Sequence, residues 1–177
     1  VLGPEAAIAG AVPLDDARLI ARLRRGDPAA LSELWEGWKT RVWAICRGMA
    51  TDTDQARALL QDLYGTLPGT VIGWSLDAPV CCQLSRHTWS RLHACLELET
   101  PAGIPLSVPD QTRAPAAAEV GARLAEVPPE LRVIYLLDIF FRCPAATLAA
   151  LSGWQERDVR NARAMVAFHL VSTGGAP

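Results

Sequence analysis

Lysine is almost missing from this 177-residue chain: Lys39 stands alone, and the other fixed cations are arginines. With a formal net charge of −2, no global positive field is available for nucleic acid. Any contact with a phosphate backbone therefore has to come from local arginine clusters. Long hydrophobic runs are absent too. None approaches the roughly 20 residues of a membrane span, so no membrane partner is expected. The opening VLGPEAAIAGAVPL carries no base ahead of its small apolar residues, a poor signal peptide, and 1–13 are expected to be a disordered tail. The five cysteines are odd in number and lack framework spacing, which argues against a disulfide scaffold and for a reducing, cytoplasmic setting.

Several chemistries are also missing. No Ser/His/Asp arrangement, phosphate-binding loop or paired-carboxylate motif can be found, so enzyme activity is not expected. Cys81, Cys82, His87, His93 and Cys95 crowd one stretch, but without a C-x-x-C pair, and side chains at these positions point around a helix instead of converging. No metal and no cofactor are expected. The cysteines read as small core residues, with thiol-based sensing as the alternative.

What is present is a good core. Half of the residues are hydrophobic and 20% are charged, a composition that folds. The mean hydropathy of +0.15 is somewhat apolar for so small a chain and points to a surface that is covered in use. Asp15 and Asp16 can cap a first helix bearing Leu14, Leu19, Ile20 and Leu23, stopped by Gly26. Asp27-Pro28 opens a second, to about Met49, with Leu31, Leu34, Trp35, Trp38, Val42, Ile45 and Cys46 at three-and-four spacing. Asp52 or Thr53 caps a third, which buries Ala56, Leu59, Leu60, Leu63 and Leu67, keeps Arg57, Gln61 and Asp62 outside, and ends at Leu67-Pro68-Gly69. A loop, GTVIGWSLDAP, then puts Ile72 and Trp74 in a glycine-flanked segment. Asp77 and Pro79 cap a fourth helix, Val80 to about Leu98, with Leu84, Leu92 and Cys95 along one side.

From Thr100 to Ala118 the helical period collapses. Four prolines in TPAGIPLSVPDQTRAPAAA mark a linker, which would let the flanking domains either clamp together or stand apart. Beyond it, Pro128-Pro129 suits a first helical turn, and Leu131, Ile134, Tyr135, Ile139 and Phe140 supply an apolar face. Cys143-Pro144 breaks that helix. A short helix from Ala145 to Leu151 stops at Ser152-Gly153, and Gln155 opens another with Val159, Ala162, Val166 and Leu170 inward. Short helix, glycine turn and longer helix make a helix-turn-helix pattern. The expected fold is all-α: a four-helix domain over 14–99, a flexible linker over 100–118, a helix-turn-helix domain over 119–171, and a tail over 172–177.

This layout resembles the extracytoplasmic-function sigma factors of bacterial RNA polymerase, divergent in the DNA-facing helices. LIARLRRGDPAALSELWEGW is similar to the family's "LI-x-x-L-x-x-GD-x-x-A-x-x-x-L" opening. Ala56 and Leu59-Leu60-Gln61-Asp62-Leu63-Tyr64 resemble its "A-E-D-L-V-Q-E-x-F" helix, and Pro128-Pro129-Glu130-Leu131-Arg132 its "L-P-x-x-x-R" segment. Leu148-Ala149, Gly153 and Val159 fall where its "E-I-A…G…T-V" helix-turn-helix residues lie. The resemblance implies a region-two and a region-four domain. It also implies core polymerase as partner, through the β′ clamp helices and the β flap, together with promoter DNA and an anti-sigma factor. By resemblance Gln61, Asp62 and Tyr64 dock on the polymerase. Trp74, in the loop from about Thr66 to Pro79, either offers a stacking platform for a flipped promoter base, a contact worth about 1–3 kcal/mol, or folds back onto the four-helix core as buried aromatics commonly do. Arg86, His87 and Arg91 on the fourth helix, and Arg157, Arg160, Asn161 and Arg163 on the last, face DNA.

The departures from the family set up a rival reading. Arg57-Ala58 stands where the family has Glu-Asp, and Arg86 and Arg91 are the only fixed cations of the fourth helix. His87 falls near a family Asn. Ala162, Met165 and Ala167 occupy places of further arginines, and from Gln155 to Leu170 three arginines against two carboxylates leave only +1. Since phosphate neutralisation drives most DNA affinity, fewer cations mean weaker, less salt-sensitive binding. The first reading is a sigma factor that directs promoter recognition and transcription initiation. The second is a degenerate sigma-like protein that binds polymerase or another protein without reading promoters. A third, a helical scaffold, would bind neither.

Overall fold

A computed structural model describes residues 14–98 and 117–171, and within them the chain is all-helical, with eight helices and no strand. The first half holds α1 (Leu14–Arg24), α2 (Pro28–Met49), α3 (Thr53–Val71) and α4 (Val80–Leu96). The second holds α5 (Ala117–Glu126), α6 (Pro129–Phe141), α7 (Ala145–Ser152) and α8 (Glu156–Val171). The expected tails at 1–13 and 172–177, and nearly all of the linker, lie outside the described residues.

Local chemistry accounts for several helix ends. The Asp27 carboxylate accepts from the Ala29 amide at 2.9 Å, and Asp52 from the Gln55 amide at 2.8 Å, each satisfying a first-turn donor. Gly153 adopts φ 75° after α7, the left-handed conformation that lets the chain turn into α8. The start of α4 departs from expectation. Pro79 makes no side-chain cap there; the Val80 amide instead donates to the Asp16 carboxylate at 2.9 Å, so α1 caps α4 from 64 residues away. Asp16 itself sits in the first turn of α1 and not before it.

Three further differences arise from packing. Pro68 does not end α3, which runs through it to Val71. A proline inside a helix forfeits one hydrogen bond and strains the preceding turn, but Leu67 and Val71, one turn apart, are both buried and hold the helix together. The helix α5 was not expected; it begins at Ala117, inside the end of the expected linker, and seats Leu124 in the core. The apolar face of α6 is also broader than its period implied. Val133, Ile134, Leu136, Leu137 and Phe141 are all buried, whereas Ile139, expected inside, is 44% exposed. A helix apolar nearly all round belongs in the middle, and α6 packs against α2, α4, α7 and α8.

The two halves share one continuous core, and the α2–α6 contact is its centre. The rings of Trp38 and Phe141 meet edge-to-face there, centroids 5.4 Å apart. Gly48 permits the close approach: a Cβ at that position would lie 2.7 Å from Cδ1 of Leu136. Arg132 fastens the turn between α5 and α6, donating to the carbonyls of Ala125 (2.8 Å) and Val127 (2.7 Å), and reaches across to the Gly48 carbonyl at 3.5 Å.

Candidate protein- and nucleic-acid-binding surfaces

The expected polymerase-facing residues lie on the outer side of α3. Gln61 is exposed, and Tyr64, 45% exposed, leans on Trp35 of α2 with ring centroids 4.6 Å apart. Together they form an amide beside an aromatic pair, a surface that offers both contact area and orientation to a protein partner. Asp62 is different. Its carboxylate takes both arms of the Arg91 guanidinium, Nε to Oδ2 at 2.7 Å and Nη2 to Oδ1 at 2.5 Å, and the Cys95 thiol lies 3.6 Å from Oδ2. One residue expected to face polymerase and one expected to face DNA thus form a two-pronged pair that joins α3 to α4. The Arg91 guanidinium holds the Asp62 carboxyl below its ordinary value.

His87 is not on the surface. It is buried beneath this pair with Nε2 3.0 Å from the Leu63 carbonyl, and burial lowers its pKa from the ordinary 6.5. A base whose folded pKa is depressed takes up protons more readily when unfolded. Its contribution to stability is whole above pH 6.5 and is lost as the pH falls from there toward the folded value. The denaturation midpoint should therefore drop between pH 7.5 and 5.5, and His87→Gln, which keeps a donor for Leu63, should flatten that slope. Equal slopes in the two proteins would refute the assignment. Asp62 adds little in this window, because a depressed carboxylate loses its contribution only at lower pH.

The loop over 72–79 folds back on the bundle. Trp74 is only 5% exposed, so its indole is packed and does not present an open stacking face. Sequence reasoning missed Gln83, which organises this loop. Its side-chain amide donates to the carbonyls of Ser75 (2.8 Å) and Ala78 (3.0 Å), while its oxygen accepts from the Ser75 amide (2.7 Å). A buried Gln on the loop-facing side of α4, following a glycine-rich segment, was the available signal. The bulky apolar groups this loop leaves outside are Ile72 and Leu76. Arg86 is exposed on α4 and makes no ion pair among the described residues.

On α8, Val159, Ala162, Val166 and Leu170 are buried, and Arg157, Arg160, Asn161 and Arg163 are all exposed. Each arginine already faces a carboxylate. Arg157 lies 3.4 Å from Asp158, Arg160 donates to Glu156 at 2.9 Å, and Arg163 reaches Asp138 of α6 at 3.0 Å. Asp138 is partly buried, and desolvation raises its carboxyl above the usual range despite the arginine. The Arg163 contact thus ties α8 to the central helix.

Among the described residues no group of three or more His, Cys, Asp and Glu side chains could hold a metal ion, and no helix is long and apolar enough to cross a membrane. No family model matches the chain, and no curated protein does. The fold is similar to that of a solved structure, CnrH in complex with the cytosolic domain of CnrY. The TM-score is 0.64 at 16% sequence identity, over 88% of this chain and 94% of that one.

Proposed function

We propose that this protein is a sigma factor of the extracytoplasmic-function type, which binds core RNA polymerase and directs promoter recognition and transcription initiation in the cytoplasm. The observation that carries the reading is the outer face of α3. There Gln61 and Tyr64, the residues that match the family's docking motif, are exposed side by side on a brace made by Trp35 and the Asp62–Arg91 pair. The helix-turn-helix of α7 and α8 supports it, since its outer face carries Arg157, Arg160 and Asn161, and an arginine or asparagine in a major groove can discriminate a base by about 1–3 kcal/mol. The likeness to CnrH, solved in complex with the cytosolic domain of CnrY, supports a regulatory protein partner of the anti-sigma kind. In this reading the protein works as a binding factor and not as an enzyme, with its two halves acting as the region-two and region-four domains.

Pull-down with core polymerase followed by run-off transcription tests the proposal. Gln61→Ala with Tyr64→Ala should weaken polymerase binding at least tenfold without loss of helicity, roughly the effect of removing one interface anchor; unchanged affinity would sink the docking assignment. The carboxylates beside all three α8 arginines favour a second reading, a sigma-like protein that binds polymerase and has lost promoter reading. Arg160→Ala separates the two. It lowers transcription and relaxes one promoter position in a working sigma factor, and changes nothing on DNA in its degenerate counterpart.

A further inference from the structure

The five arginines expected to face DNA are not all in the same state. Arg86 has no carboxylate partner among the described residues, whereas Arg91, Arg157, Arg160 and Arg163 each have one. Three of those carboxylates, on Asp158, Glu156 and Asp138, lie outside the docking motif. The fourth belongs to it. Asp62 sits on the face expected to meet polymerase, and the same carboxylate occupies the Arg91 guanidinium. Arg91 follows the exposed Ser90 at the border of the α4 face that carries Arg86, with its guanidinium turned back toward α3. One carboxylate thus serves two expected interfaces at once.

We infer that the Asp62–Arg91 pair is an autoinhibitory contact exchanged on docking: a cation of the polymerase takes the Asp62 carboxylate, and Arg91 is released to a DNA phosphate. This exchange rests on the sigma-factor reading and deepens it. The two side chains are 35% and 29% exposed, so a partner can reach the pair, and water screens it enough that its net contribution to stability is small. Losing it does not part the helices. Beneath it His87 Nε2 stays 3.0 Å from the Leu63 carbonyl, and Leu63, Leu67, Leu84 and Leu92 remain buried. Docking shifts the balance, because a carboxylate enclosed in an interface is best satisfied by a cation presented across it. Arg91 then has the open side of α4 to turn to, where its planar fork of donors fits a phosphate. Gln61 and Tyr64 give the partner orientation and area, and Asp62 reports that docking has occurred. The coupling is reciprocal: DNA that holds Arg91 leaves Asp62 free and tightens polymerase binding by the same factor. A free protein of net charge −2, with four of those five arginines neutralised, is thereby kept off DNA until it is docked.

The first measurement uses the whole protein without polymerase and a fluorescein-labelled DNA duplex of mixed sequence. Asp62→Asn gives up the charge that holds Arg91 and so mimics the docked state. It should bind the duplex about fivefold tighter than wild type, or more. Its logarithmic salt dependence should be steeper by about 0.9, the value of one added phosphate contact. Both gains should vanish when Arg91→Ala is added. No gain in Asp62→Asn, or a gain that persists with Arg91→Ala and is therefore a plain charge effect, would overturn the exchange. The second measurement requires no variant to fold. Wild-type protein, free and bound to core polymerase, is treated with phenylglyoxal and its modified arginines are mapped by peptide mass. Arg91 should react more slowly than Arg86 in the free protein and several-fold faster once docked. Failure of the wild type to bind polymerase would defeat the sigma-factor reading and take the trigger with it. Binding that leaves Arg91 as unreactive as before would defeat the exchange alone.

Discussion

Phe141→Ala should cost about 3–5 kcal/mol of stability, the usual range for emptying a buried phenylalanine site. Phe141 is 2% exposed and closes the last turn of α6, with the Trp38 indole edge-on to its ring. Immediately afterwards Arg142 turns the chain at φ 52° and ends the helix. The ring belongs to the core common to both halves, so the loss should appear in a single unfolding transition by far-UV circular dichroism and tryptophan fluorescence alike. A variant in which the second half melts separately while the first stays intact would contradict the shared core. A loss below about 1 kcal/mol would show that the ring contributes little packing.

The second large effect is expected at Trp74. A buried indole truncated to alanine also costs about 3–5 kcal/mol, and the change leaves the loop over 72–79 with Gln83 and two backbone bonds to α3 but no packed side chain at Trp74. If Trp74 serves instead as an opening wedge for DNA, Trp74→Ala should keep its stability and its polymerase affinity, lose activity on a duplex promoter, and regain part of it on a premelted one. The 5% exposure favours the first outcome. Denaturant midpoints of the variant and the wild type, measured side by side, decide between them.

The sequence was most legible where a feature is local. Asp27 and Asp52 announce the starts of α2 and α3 because capping needs only the next three residues, and Gly153 announces the turn before α8 because only a left-handed residue fits there. Pro68 misled for the same reason: its local cost is real, but the burial of Leu67 and Val71 outweighs it. The surface residues were legible as positions and not as partners. Gln61 and the α8 arginines do lie outside. That Asp62 would be held by Arg91, 29 residues on, or Arg163 by Asp138 on another helix, is set by how helices cross, which helical periodicity does not encode. His87 shows the limit most plainly, since a polar residue becomes a buried one when a backbone carbonyl such as that of Leu63 is waiting for it.

The bond from the Val80 amide to Asp16 bears on the order in which the chain assembles. The first turn of α4 has no capping side chain of its own, so that turn frays until α1 has docked. Closing a 64-residue separation is slow compared with forming a helix, which places the completion of α4 late in folding. In amide hydrogen exchange, Val80 should be protected only as well as α1 is attached, and Asp16→Ala should speed its exchange while leaving amides in the middle of α4 untouched. A single carboxylate near the start of the described chain thus acts as a latch, and its state can be followed one proton at a time.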